Sequence, residues 1–215
     1  PWEGRHFEPN PAADDDGSAP EPLMAAIGRF RAGEGSEAEV VDAVRESRLL
    51  VALVAELGDT GVSPLGHTVD KSQELSIVTV AGPDGRNVLP AFSSVTAMSA
   101  WNPKARPVPA AGTRVALAAA SESTELVVLD PTSDTEFAIR RPALWAIAQS
   151  EPWIPSYLDP EVLRAFMDAA APEPTVLAVT LAPGDPAARL AGPELVVRLA
   201  LIEGLDRASL DAVIA

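Results

Sequence analysis

Only His6 and His67 carry a side chain whose ordinary pKa lies near neutrality. His67 falls in a polar stretch, LGDTGVSPLGHTVDKS over 57–72, three residues before Asp70. That spacing suits a base steadied by a carboxylate, but no serine occupies a G-x-S-x-G elbow, and geometry has to precede a base assignment. A surface-loop histidine is the simpler reading. The chain has no cysteine, so thiolate nucleophiles, disulfides, Fe–S clusters and cysteine zinc sites are excluded. No lysine follows a Gly-rich phosphate loop, and no G-x-G-x-x-G occurs. Zinc would ask for a His pair at helical spacing, which is absent. Asp14-Asp15-Asp16 lacks the wider pattern of a calcium loop. Glu122 with Glu125, or Asp130 with Asp134, is close enough in sequence to converge on a proton or a cation. Such pairs more often solvate a turn or cap backbone donors. No catalytic residue, metal ligand or cofactor is assigned, and the chain leans away from an enzyme.

The aromatic residues are the better candidates for binding. There are four Trp and one Tyr. Trp145, Trp153 and Tyr157 fall in one short stretch, and Trp101 closes a predicted helix. Burial in a core is the default for such rings. The alternatives are an anchor cluster on a docking surface or a small-ligand cleft along a domain junction.

Charge narrows the partners. The formal net charge is −15 and the sequence pI is about 4.4. A nucleic-acid backbone would be repelled, since its affinity rests on Lys and Arg neutralising phosphates, and no basic run appears. An anionic membrane surface is disfavoured for the same reason. No apolar run approaches the roughly 20 residues that span a bilayer. No signal peptide is legible in PWEGRHFEPN. With the missing cysteines, this makes a cytoplasmic protein the expectation.

The elements that must position these residues follow from pattern. Residues 1–20, with Pro9, Pro11, Pro20 and the Asp run, read as a flexible tail, to which Trp2 or Phe7 could add a docking contact. A helix is predicted over 22–31, closed by Gly33 and Gly35. Ser36-Glu37-Ala38-Glu39 is a capping box for a second helix to about Arg45. Leu49–Val54 is a continuous apolar run, which suits a buried central strand. Residues 57–72 read as irregular. Strand, turn, strand and short helix occupy 75–101, with Pro83-Asp84-Gly85 as the turn and Ser94 as the cap. Pro107 and Pro109 mark a connection, and Thr113 caps an Ala-rich helix to Ala120. The strand–turn–strand–helix order repeats at 125–149. Pro152 and Pro155 then break the chain. Asp159-Pro160-Glu161 starts a helix, strands follow at 176–181 and 195–202, and Asp206 caps a last helix. The expectation is an α+β protein: a mixed or antiparallel sheet covered by helices over 21–149, with a smaller C-terminal α-β-β-α unit over 157–215, the two packed as one body or separate.

Three stretches carry a family resemblance: the opening helix pair; Leu89-Pro90-Ala91-Phe92-Ser93-Ser94 followed by Trp101; and Leu126-Val127-Val128-Leu129-Asp130-Pro131. They resemble the SseB family, bacterial proteins named for enhanced serine sensitivity, over most of 21–149, and the C-terminal segment is similar to the second part of longer members. The resemblance implies no settled catalytic residues, cofactor or reaction. It leaves three readings in order: a non-catalytic interaction or regulatory module that contacts an unidentified protein partner; a small-molecule binding domain with its pocket near Trp145–Tyr157; and an enzyme using carboxylates and His67.

Overall fold

The computed structural model describes residues 15–55, 61–62, 68–69, 75–82, 85–121, 124 and 126–213. Trp2, His6, Phe7, Asp14, His67, Asp70, Asp84, Glu122 and Glu125 lie outside them. The architecture is α+β, built on a seven-stranded mixed sheet.

The chain begins with α1 (Glu21–Ala32), which ends where Gly33 turns left-handed at φ 73. The predicted capping box opens α2 (Glu37–Glu46): the Glu39 amide donates to Ser36 Oγ and the Ser36 amide to Glu39 Oε1. The apolar run becomes β1 (Arg48–Ala55). The next segment, expected to be irregular, contains a small strand pair, β2 (Gly61–Val62) and β3 (Thr68–Val69). The predicted strand from 75 is divided into β4 (Leu75–Ile77) and β5 (Val80–Ala81). Then come β6 (Asn87–Phe92) and α3 (Val95–Trp101), capped as expected by Ser94 Oγ, which accepts from the Ala97 amide at 3.1 Å.

The connection expected at Pro107 and Pro109 is instead β7 (Arg106–Ala111), paired with β1 from Arg48↔Ala111 to Leu53↔Arg106. Two prolines argue against a central strand, but β7 is mostly exposed and pairs with β1 alone, where a missing N–H can face away from the ladder. Next, α4 (Gly112–Ser121) starts one residue before the expected cap. A Cβ on Gly112 would lie 2.0 Å from the Val44 carbonyl oxygen, so the close passage of α2 requires glycine there. Strands β8 (Leu126–Leu129) and β9 (Phe137–Arg140) and helix α5 (Arg141–Gln149) complete the main layer.

The sheet order is β4-β1-β6-β8-β9, with β5 added beside β6 and β7 beside β1; β6 and β8 run parallel and the other pairs antiparallel. Alternation sorts its side chains. Leu49, Val51, Leu89, Ala91, Val127, Leu129, Phe137 and Ile139 face α1, α2, α4 and α5 in the main core. Leu50, Ala52, Phe92, Val88, Leu126, Val128 and Ala138 face the other way and form two smaller clusters. Both faces are apolar, which explains why β6, β8 and β9 read as unbroken hydrophobic runs.

The C-terminal segment is α6 (Pro160–Ala170), β10 (Val176–Pro183), β11 (Leu195–Leu201) and α7 (Arg207–Val213), with the predicted Asp159 and Asp206 caps in place. No described residue of these four elements is buried. The loop joining β10 to β11 is another matter. Asp185, Ala188 and Leu190 are buried against the main sheet. Residues 15–18, in the stretch read as tail, are also held: Arg48 bonds Asp15 and the Ser18 carbonyl, and the Val95 amide donates to the Gly17 carbonyl.

Candidate functional site

The second face of the sheet is only partly covered. At one side α3 lays Met98 and Trp101 over Leu50, Ala52 and Phe92, with the Trp101 and Phe92 rings 5.3 Å apart. At the other side the β10–β11 loop lays Leu190 over Val88, Leu126, Val128 and Ala138. Between them lies a cavity of about 300 Å³. Pro90, Val128 and Ala138, paired neighbours across β6, β8 and β9, form its floor with Val88. Trp101 and Leu190 form opposite walls, and Thr132, Glu136 and Arg189 supply polar groups.

The loop is seated on the free edge of β9. The Ala138 amide donates to the Ala188 carbonyl at 2.7 Å, as a further strand would accept it. Ala188 then joins the core on the helix side, while Leu190 joins the cluster on the other. An ion pair locks this seat: Arg140 Nη2 lies 2.7 Å from Asp185 Oδ2, with side chains only 9% and 3% exposed. Asp185 also accepts the Leu190 amide at 2.8 Å and the Arg189 amide at 3.2 Å. Arg140 additionally donates to the Gly192 carbonyl. From α1, Arg31 donates to the Ala187 and Glu136 carbonyls. Burial and the neighbouring Arg189 charge push its guanidinium pKa down.

A second device sits at the end of β8. Asp130 is buried at φ 45. Its Oδ1 accepts the Ser93 amide at 2.7 Å; its Oδ2 accepts the Ser93 hydroxyl at 2.6 Å and the Thr135 hydroxyl at 2.9 Å. This joins the ends of two parallel strands and fixes the turn that carries Pro131 and Thr132 to the rim. A serine beside a carboxylate invites a catalytic reading, but Ser93 is 2% exposed and every oxygen of Asp130 is engaged inside the protein. The less favoured option, Asp130 and Asp134 converging on a proton or cation, is not formed: Asp130 turns inward and accepts the Ser93 amide, the commoner role expected for such carboxylates, and Asp134 is exposed.

Among the described residues, four of the five non-glycine residues with left-handed backbone belong to the two segments of this rim: Asp130 and Thr132, Ala188 and Leu190. L-residues occupy that region at a cost, and such costs concentrate where a structure needs a particular shape.

The four aromatic residues singled out in the sequence do not share one surface. Trp101 lines the cavity. Trp153 is half-buried against the main core, on the opposite side of the sheet. The Tyr157 hydroxyl donates to Glu37 Oε2 at 3.3 Å; burial, then the Glu37 charge, push its pKa up to about 12, and burial raises that of Glu37. Trp145 is 50% exposed and, with Leu117 at 54%, borders a shallow groove of about 350 Å³ between α4 and α5. Thr132, Glu136, Arg189 and Leu190 were not singled out in the sequence. The available signal was the loop between β10 and β11, far longer than the two to five residues usual in a hairpin.

Among the described residues, no group of three or more His, Asp or Glu is placed to hold a metal ion, and no helix is long and apolar enough to cross a membrane.

An α+β domain with a mixed sheet, four helices on one face and a partly open second face is the class defined here. The model of the SseB protein N-terminal domain matches residues 23–146, more than half of the chain, and the chain belongs to that family. No curated protein and no solved structure matches it.

Proposed function

We propose that the chain is a non-catalytic binding module whose ligand occupies the cavity between the sheet and the β10–β11 loop. The observation that carries this reading is convergence. Pro90 and Trp101, from one stretch that carries the family resemblance, and Pro131, from another, line one cavity. Its volume is at the lower end of the range for small-molecule sites, and its apolar floor with a few polar rim groups has their usual chemistry. The cavity also lies where main domain and C-terminal segment meet, so ligand binding would tie the two together and give a regulatory module its signal. Val128→Phe tests the reading. It fills the floor from a buried position. A metabolite screen by thermal shift should find a ligand that stabilises the wild type and leaves a folded Val128→Phe protein unshifted. Equal shifts in both proteins would refute the assignment of the site.

The α4–α5 groove supports a second reading, a protein-docking surface for an amphipathic helix. Leu117 and Trp145 stand exposed on its border. Exposed Trp beside aliphatic surface is a common anchor. Affinity capture with Trp145→Ala as control tests it: a partner retained by that variant would place docking elsewhere.

A further inference from the structure

We infer that the sheet-face cavity takes a small monocarboxylate with a flat or branched apolar body. The inference rests on the pocket reading above and adds the chemistry of the ligand. The body is set by the floor of Val88, Pro90, Val128 and Ala138 between Trp101 and Leu190. None of these floor and wall groups other than the indole N–H offers a side-chain hydrogen bond, so the buried part of the ligand is apolar.

The charged end is set by the rim. Arg189 Nη2 is spent on the Ser133 and Asp134 carbonyls at 3.3 and 3.0 Å, which orient the guanidinium. Its Nη1 and Nε make no hydrogen bond among the described residues, and neither does the Thr132 hydroxyl. A planar guanidinium held at one corner is matched to a carboxylate. Arg140 and Asp185 pair with each other, and Arg31 and Arg189 share this corner with Glu136 and with the turn that carries Asp134, so recognition rests on the planar fork of Arg189 and not on a net positive field. Glu136 also limits the ligand. Its Oε2 accepts the Thr132 amide at 2.6 Å, and its Oε1 is unpartnered among the described residues. A dianion beside it would be repelled, so a singly charged group is favoured over a phosphate or a dicarboxylate.

The test uses the full chain and four probes of one shape: phenylacetate, phenylacetamide, phenethylamine and phenyl phosphate. Binding is followed by the indole N–H signals in a two-dimensional nitrogen–proton spectrum, with Trp101 assigned by Trp101→Phe. Phenylacetate should move the Trp101 signal saturably. Phenylacetamide, phenethylamine and phenyl phosphate should each bind at least tenfold more weakly, and Arg189→Gln should lose at least tenfold for phenylacetate alone. Arg189→Lys, which keeps the charge without the planar fork, should fall between. If all four probes move Trp101 with similar affinity, the pocket reading stands and the carboxylate inference is overturned. If none moves it, the carboxylate inference is overturned, and the pocket reading stands or falls on the Val128→Phe comparison. An Arg189→Gln protein that retains its circular dichroism spectrum and binds phenylacetate as well as wild type also overturns the inference.

Discussion

Replacing Asp185 with alanine should release the β10–β11 loop from the edge of β9 and dismantle one wall of the cavity. The carboxylate is 3% exposed and receives Arg140 Nη2 at 2.7 Å, the Leu190 amide at 2.8 Å and the Arg189 amide at 3.2 Å. Its removal leaves the Arg140 charge buried without a counter-ion, which costs about 3–5 kcal/mol. If the loop opens while the main sheet stays folded, that loss appears locally. The reporter is the Ala138 amide, whose partner is the Ala188 carbonyl. Its hydrogen exchange should accelerate by about 10²- to 10⁴-fold, since each 1.4 kcal/mol is tenfold, while amides of β1 and β6 keep their protection. Should the loss be global instead, the melting temperature should fall by roughly 6–20 °C for a chain of this size. The double variant Arg140→Met with Asp185→Leu removes both charges and should recover most of the difference. A folded Asp185→Ala protein with unchanged Ala138 exchange and melting temperature would refute the claim that this ion pair seats the loop.

Other substitutions separate structural from binding roles. Asp130→Ala strips the acceptor from Ser93 and Thr135 in a buried site and should cost about 1–3 kcal/mol for each donor left unsatisfied, by denaturant melt; a loss under about 1 kcal/mol would show that the turn holds itself. Trp145→Ala should cost less than about 1.5 kcal/mol because half its surface is already in water; a core-like loss would mean that its buried half carries the α4–α5 packing. Tyr157 is the only tyrosine, so its ultraviolet titration is unambiguous and should centre near 12, not 10. Glu37 has its pKa raised by burial, so it binds its proton more tightly in the folded protein than in the unfolded one. Its contribution is therefore full below the unfolded value of about 4.5 and is lost as pH rises through the folded value. Glu37→Gln should accordingly raise the melting temperature at pH 7, with the gain vanishing below about pH 4; an equal gain at both pH values would contradict the burial argument.

Local rules made much of the scaffold legible. The Ser36 capping box, the Ser94, Asp159 and Asp206 caps and the apolar runs of β6, β8 and β9 are read from a few adjacent residues, and the structure forms each as read. What stayed hidden depends on pairing between distant residues. Strand β7 was concealed by Pro107 and Pro109, which are tolerated because that strand pairs on one side only. The site was hidden for the same reason. Trp101 was flagged as an aromatic anchor, but its opposite wall is Leu190, nearly ninety residues away, brought there by an Arg140–Asp185 pair that no spacing rule announces. Trp145, Trp153 and Tyr157 looked like a cluster because they are near in sequence; helix α5 and the proline-rich segment after it point them to different surroundings. The Asp130 turn shows the opposite case. The sequence marked Ser93 and Asp130 in separate stretches, and parallel pairing of β6 with β8 brings them into hydrogen-bond contact.

The central claim, that the cavity beneath Trp101 is where this protein binds its ligand, is tested most directly by a crystal structure of the full chain soaked with phenylacetate and the best hit of the metabolite screen. Ordered density is expected over Val128 and Ala138, in contact with Trp101 and Leu190 and within hydrogen-bond distance of Arg189. Ligand found in the α4–α5 groove beside Trp145, with the sheet-face cavity filled only by water, would contradict it.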